Sequence, residues 1–176
     1  MAMTLITNSA DTDSTDLSSI AFTSSIDSTY KLYIFKFINI GPATNNTAFQ
    51  VQFNAASQSE YNEVITSTQF RANSANGTLS YSAGSDQAQG SSYQTLETAL
   101  GNASVESLSG TMWLFNPSDT TYVKHFCSTV SGFGETAGEL NGYMGGYINT
   151  TGAITGVSFK MDSGNFDGTI KMYGVG

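Results

Sequence analysis

The chain has 176 residues, 14 acidic against 6 basic side chains and a net charge of −8, and its charged fraction of 11 % is well below the average of about a quarter. Its cations, Lys31, Lys36, Arg71, Lys124, Lys160 and Lys171, form no run of neighbours, which argues against a nucleic-acid binder that neutralises phosphates with clustered charge. With 39 % hydrophobic and 12 % aromatic residues, one domain can bury a core without disulfides or metals, and the single cysteine, Cys127, cannot bridge internally.

No stretch approaches the ~20 apolar residues of a membrane span, so membrane insertion is not expected. The N-terminus lacks the basic, apolar and small-residue order of a Sec signal, so any exit from a cell is expected without one, which is compatible with release by lysis. Ser, Thr, Asn, Gln and Gly take the place of surface charge, a composition common in outward-facing β proteins.

Residues 1–16 read as a polar N-terminal segment able to serve as an attachment arm, and residues 17–176 as a single β-sandwich domain. Leu17, Ile20 and Phe22 begin a short strand. Tyr30 to Ile40 is apolar on both faces, with Leu32, Ile34 and Ile38 against Tyr33, Phe35 and Phe37, as a strand in the middle of a sandwich requires. It stops at Gly41-Pro42. Phe49, Val51 and Phe53 alternate with Gln50, Gln52 and Asn54, which predicts a half-buried strand. Val64 to Phe70 and Leu79 to Tyr81 read as strands around an Asn76-Gly77 turn.

Between Gly84 and Gly101 the spacing of Tyr93, Leu96, Ala99 and Leu100 predicts a short helix, closed by Gly101 and lying as a lid over one end of the sandwich. Strands resume at Thr111 to Phe115, with Trp113 assigned to the core, then at Tyr122 to Val130 and Gly142 to Ile148. Gly145-Gly146 marks a bulge or a close backbone approach. Ala153 to Val175 predicts two strands joined at Gly164-Asn165 as a closing hairpin. Nine or ten short strands with one helix give an all-β, antiparallel, jelly-roll-like sandwich.

Chemical constellations are sparse. His125 shares a strand face with Val123 and Cys127 and reads as structural, since no G-x-S-x-G elbow accompanies it. His125 and Cys127 supply two metal ligands where zinc takes three or four. Glycosidases need two opposed carboxylates; Glu60, Glu63, Glu97, Glu106, Glu135 and Glu139 are the candidates, and all are placed in polar loops or near turns as solvated groups. Asp11, Asp13 and Asp16 resemble half of a calcium loop without its glycine and closing glutamate. The N-x-[ST] matches at Asn45, Asn76, Asn102 and Asn149 are what chance gives in so Asn-, Ser- and Thr-rich a chain. No phosphate loop or dinucleotide fingerprint occurs, and no catalytic residue, metal or cofactor is implied. Tyr143 and Tyr147, four apart in a strand, share a face and are candidate contacts for a glycan stacked on their rings.

The run Ser163-Gly164-Asn165-Phe166-Asp167-Gly168-Thr169-Ile170-Lys171-Met172-Tyr173-Gly174-Val175 resembles the closing segment of small virion structural proteins of tailed bacteriophages, of the marine and cyanobacterial phage type. Ser25 to Tyr30 followed by Tyr33-Ile34-Phe35-Lys36-Phe37, and Leu114-Phe115-Asn116-Pro117-Ser118, are similar to the same group. The resemblance implies a non-enzymatic β-sandwich on the outer surface of a phage head or tail, assembled as a homotrimer with the major capsid protein or other virion proteins as partners. The absence of a long fibre shaft favours a capsid decoration or cement protein. The alternative is a receptor- or glycan-binding module of a tail or head fibre, with a host surface glycan as partner.

Overall fold

The computed structural model describes residues 2–8, 17–73, 78–81, 85–136 and 138–176. These form β1 (Met3–Asn8), β2 (Ile20–Phe22), β3 (Leu32–Pro42), β4 (Thr47–Ala55), β5 (Ile65–Asn73), β6 (Thr78–Tyr81), β7 (Ala88–Gly90), β8 (Gln94–Leu100), β9 (Leu108–Phe115), β10 (Lys124–Gly134), β11 (Gly138–Ile148), β12 (Ile154–Met161) and β13 (Phe166–Val175). The architecture is all-β and antiparallel, as the sequence predicts, with no helix among the described residues. The larger layer runs β1-β13-β3-β9-β10-β11-β5, with β6 and β7 both on β5, and the smaller runs β8-β4-β12-β2. One pair, Gly134 of β10 opposite Leu100 of β8, makes the two layers a single sheet that curls over on itself.

Alternation decides which side chains meet inside. β3 lies between β13 and β9, and its Tyr33, Phe35 and Phe37 are buried, while Ile38 on its other side is exposed. Phe159 of β12 reaches across from the smaller layer and contacts Phe35 at 5.4 Å and Phe37 at 5.2 Å, between ring centroids. It also stacks on Phe49 of β4 at 5.9 Å and meets Phe22 of β2 edge-on at 6.2 Å. Such pairs contribute about 0.5–1.5 kcal/mol each beyond the area they bury.

Three expectations are corrected here. The segment 93–101 is no helix: β8 pairs with β4 through two register shifts, and Ala99 sits at φ 57°. These irregularities break the two-residue period, so that Leu96, Glu97 and Leu100 are all buried, a spacing that a helical face would also give. The strands of Ala153 to Val175 exist but do not pair as a hairpin. β12 lies between β4 and β2, and β13 between β1 and β3, so residues 162–165 arch from one layer to the other. Asp162 fixes the arch by accepting from Ala48 N at 2.8 Å and from the Thr47 hydroxyl, while Gly164 turns at φ 74°. A hairpin would put both apolar faces on one side of one layer; the arch turns them toward each other. Finally, part of the expected attachment arm is structured within the domain, where Met3–Asn8 is the edge strand on β13.

The strands around Asn76-Gly77 do pair, Asn73 opposite Thr78, although the turn itself lies outside the described residues. A close approach occurs at Gly146, where a Cβ would stand 2.8 Å from the Thr66 carbonyl oxygen; the β10–β11 register passes through it unbroken.

Phe159→Ala is expected to destabilise the fold by about 3–5 kcal/mol in urea unfolding, because four rings lose their shared neighbour. Gly168, at φ 115° with Asn39 O only 2.6 Å from where a Cβ would sit, forms the bulge of β13 against β3. Gly168→Ala is therefore expected to cost about 1–3 kcal/mol in the same measurement, with unfolding cooperativity retained.

Candidate ligand-contact face

The side of the larger layer that turns away from the core is apolar over several strands. In register across it lie Met3 and Val175, Leu5 and Tyr173, Val175 and Leu32, Tyr173 and Ile34, Leu32 and Phe115, and Ile34 and Trp113. Beyond β9 the rows continue through Cys127 opposite Trp113, His125 opposite Tyr147, and Tyr143 opposite Phe70. Met3 is 52 % exposed, Leu5 49 %, Phe70 50 %, Phe115 41 % and Tyr143 50 %, values that mark a surface and not a second core.

Tyr143 and Tyr147 do share this face, on β11, on either side of Gly145. Nothing lies within 4 Å of where a Gly145 Cβ would be, so the two rings flank an open notch. Trp113 is corrected from core to face. It is half-buried, whereas its neighbours Met112 and Leu114 are fully buried on the opposite side of β9. Sequence reasoning missed Phe70, Phe115 and Trp113 as surface aromatics because a strand apolar on both sides gives no sign of which side is covered.

His125 and Cys127 also point outward, as their alternation with Lys124 and Phe126 predicts. The His125 ring stands 6.2 Å from that of Tyr147, and among the described residues no hydrogen bond joins it to a nucleophile or a carboxylate. Burial pushes the Cys127 thiol above its ordinary value, the direction of an unreactive cysteine. Among the described residues no three His, Cys, Asp or Glu side chains group to hold a metal, and Asp11, Asp13 and Asp16 lie outside them. Lys124 is enclosed beneath this face. Its Nζ donates to Tyr122 O at 2.9 Å and Thr150 O at 3.2 Å, and burial lowers its pKa.

The carboxylate candidates separate into different surroundings. Glu135 accepts from Asn45 Nδ2 at 3.3 Å, and Glu139 accepts from the Ser131 hydroxyl and from Asn141 Nδ2. Glu60 is exposed. Glu106 caps its own loop by accepting from Ala103 N at 2.7 Å. With Asp167, which the sequence did not single out, Glu106 lines a cleft of about 210 Å3 beside Gly41, Pro42 and Asn102. Both carboxylates are part-exposed there.

Glu63 and Glu97 are corrected from solvated loop positions to buried ones. Glu63 Oε1 accepts from Ala55 N at 3.1 Å. Glu97, on β8, faces β5 through Arg71 Nη1 at 3.4 Å and accepts from Thr98 N at 2.9 Å, while its Oε2 has no hydrogen-bond partner among the described residues. It belongs to a polar seam in which Ser67 donates to Gln94 Oε1 at 2.5 Å and Gln69 Nε2 to Leu96 O at 2.7 Å. These side-chain bonds close β8 onto β5 where no backbone ladder does.

No protein-family model matches the chain, and no curated protein matches it either. No helix among the described residues is long and apolar enough to cross a membrane.

Burial raises the pKa of Glu97, and the Thr98 amide and Arg71 offset this in part. The unfolded chain therefore releases this proton at lower pH than the folded one. The stability tied to the neutral acid is present below the unfolded pKa and is lost as pH rises through the folded value. Asp27, its pKa lowered by hydrogen bonds from the Thr29 side chain and then the Thr29 amide, and Asp119, lowered by the Tyr122 and Thr121 amides, act in the opposite direction. Comparing the parent with Glu97→Gln cancels the aspartates. The variant is expected to lose this part of the pH dependence and to gain relative stability as pH rises, as read by urea midpoints across the acid range.

Proposed function

We propose that this protein is a non-enzymatic structural component of a bacteriophage virion, a decoration or cement protein that docks on the outer surface of the capsid. The observation that supports this is the apolar outer face from β1 to β5, on which Met3, Leu5, Ile38, Phe70, Phe115 and Tyr143 are exposed around part-covered neighbours, more large hydrophobics than a soluble monomer commonly leaves in water. Covering them on neighbouring capsid subunits contributes about 25 cal/mol per Å2 of apolar area, a gain that opposes the outward pressure of packaged DNA. The contact chemistry is burial and hydrogen bonding. The major capsid protein is the partner in this reading, and the assembly is a homotrimer.

A second reading is a receptor- or glycan-binding module on a tail or head fibre. It is favoured by one particular arrangement, Tyr143 and Tyr147 flanking the open side of Gly145. Rings presented this way stack on the C–H faces of sugars.

Leu5→Glu combined with Phe115→Glu plants two carboxylates on the face without touching the core. Occupancy of the double variant on purified virions, measured by quantitative mass spectrometry, should fall severely while its thermal unfolding stays close to that of the parent. Occupancy equal to the parent's would remove the face from the docking surface.

A further inference from the structure

We propose that one register row of the outer face binds an acidic polysaccharide, with a sugar ring on Tyr143 and carboxylate or sulfate groups at Lys36 and Lys171. This rests on the glycan-binding reading above and adds the charge of the ligand to it. The row is unbroken through five ladders: Phe70 opposite Tyr143, Tyr143 opposite Thr129, Thr129 opposite Thr111, Thr111 opposite Lys36, and Lys36 opposite Lys171. With strands about 4.8 Å apart, Tyr143 and Lys171 stand about 19 Å from each other, the reach of a short oligosaccharide laid across the strands.

The lysines are the telling feature. Like charges directly opposite one another destabilise a ladder, yet this acidic protein sets two of its six cations side by side. Lys36 Nζ turns onto Thr111 Oγ1 at 2.9 Å, and among the described residues neither ammonium has a carboxylate partner. The acids on these strands lie toward the margins: Asp167 beyond the Gly168 bulge of β13, and Glu139 at the start of β11, engaged with Ser131 and Asn141. An anion between the two ammoniums turns an unfavourable pair into a favourable site.

The rest of the row selects the class of anion. A second copy of this chain, docked face to face about a two-fold axis, would bring four of these ammoniums together. An apolar protein surface would be met by the adjacent rows of Leu5, Tyr173 and Ile34 or of Met3, Val175 and Leu32, not by this one. Between the aromatic end and the cationic end stand half-buried Thr129 and buried Thr111, one strand apart, the latter holding Lys36 Nζ in the row. Ring and ammoniums in sequence match a polymer that offers C–H faces and acid groups along one edge.

The test uses the full chain, which carries Trp113 on the same face as its one tryptophan and hence as a built-in reporter. Polygalacturonate, alginate and carrageenan are titrated by Trp113 fluorescence and calorimetry, with dextran as the neutral polymer and poly-glutamate as the acidic polymer without sugars. The acidic polysaccharides should bind in a salt-sensitive manner and at least about tenfold more tightly than dextran. Lys36→Gln with Lys171→Gln should weaken them about tenfold with the circular dichroism spectrum unchanged, and Tyr143→Ala should weaken them as well. Dextran binding as tightly as the acids, or an unchanged affinity in the lysine double variant, would overturn the acidic assignment and leave the glycan reading standing. Poly-glutamate binding as well as the uronates, or self-association abolished by the lysine double variant, would give the row to a peptide or to a second copy. If no polymer binds, both the inference and the glycan reading fall.

Discussion

The contact of Phe159 with Phe35, Phe37, Phe49 and Phe22 is the constraint on which the rest of the structure depends. Between named strands the two layers share one ladder pair, Gly134 with Leu100, and further backbone bonds such as the Leu17–Phe166 bridge join them only at their margins, which leaves open how they sit across the middle. Ring packing sets it. Once Phe159 is seated between β3 and β4, β12 must run under β3, and the chain beyond it must arch to reach the opposite layer. The outer face follows from the same event, because the side of β3 that takes Phe159 leaves Leu32, Ile34, Lys36 and Ile38 pointing away.

The seam between β8 and β5 works by a different principle. Gln69, Gln94, Ser67 and Glu97 are buried polar groups there, joined beyond the seam by Gln52 of β4, and most of their hydrogen-bonding capacity is met by loop and strand carbonyls or by each other. Gln52 shares its two amide protons among three carbonyls, those of Glu63, Ser91 and Ser92. An apolar seam would tolerate several registers, but paired donors and acceptors tolerate few. The seam thus specifies how the curled sheet closes, and Glu97 is the member whose ionisation works against it.

The alternation of Phe49, Val51 and Phe53, or of Val157, Phe159 and Met161, made the strands and the fold class legible in the sequence, because a period of two survives whatever the partner strand is. Pairing was not legible. β12 and β13 have the local pattern of a hairpin, and only the fit of aromatic rings between layers separates a hairpin from an arch. β8 was misread because its bulges mimic helical spacing, and β1 because a short apolar-polar alternation beside an acidic run looks like a tail. At the candidate face, the shared side of Tyr143 and Tyr147 was legible from their spacing. The meeting of Lys36 with Lys171 was not: they lie far apart in sequence and come together only through the β13–β3 register, which the Gly168 bulge offsets.

The place of β13 between β1 and β3 has a consequence for the order of events at the ribosome. β1 and β3 emerge early in translation, yet neither meets its β13 partner until nearly all of the intervening residues have been made. During that time β3 presents an open edge of unpaired amides and carbonyls, rich in Phe and Ile, to its neighbours on the polysome. Joining contacts so distant in sequence is slow. The nascent chain therefore completes its larger layer only after synthesis has passed β13, and until then that edge of β3 stays open.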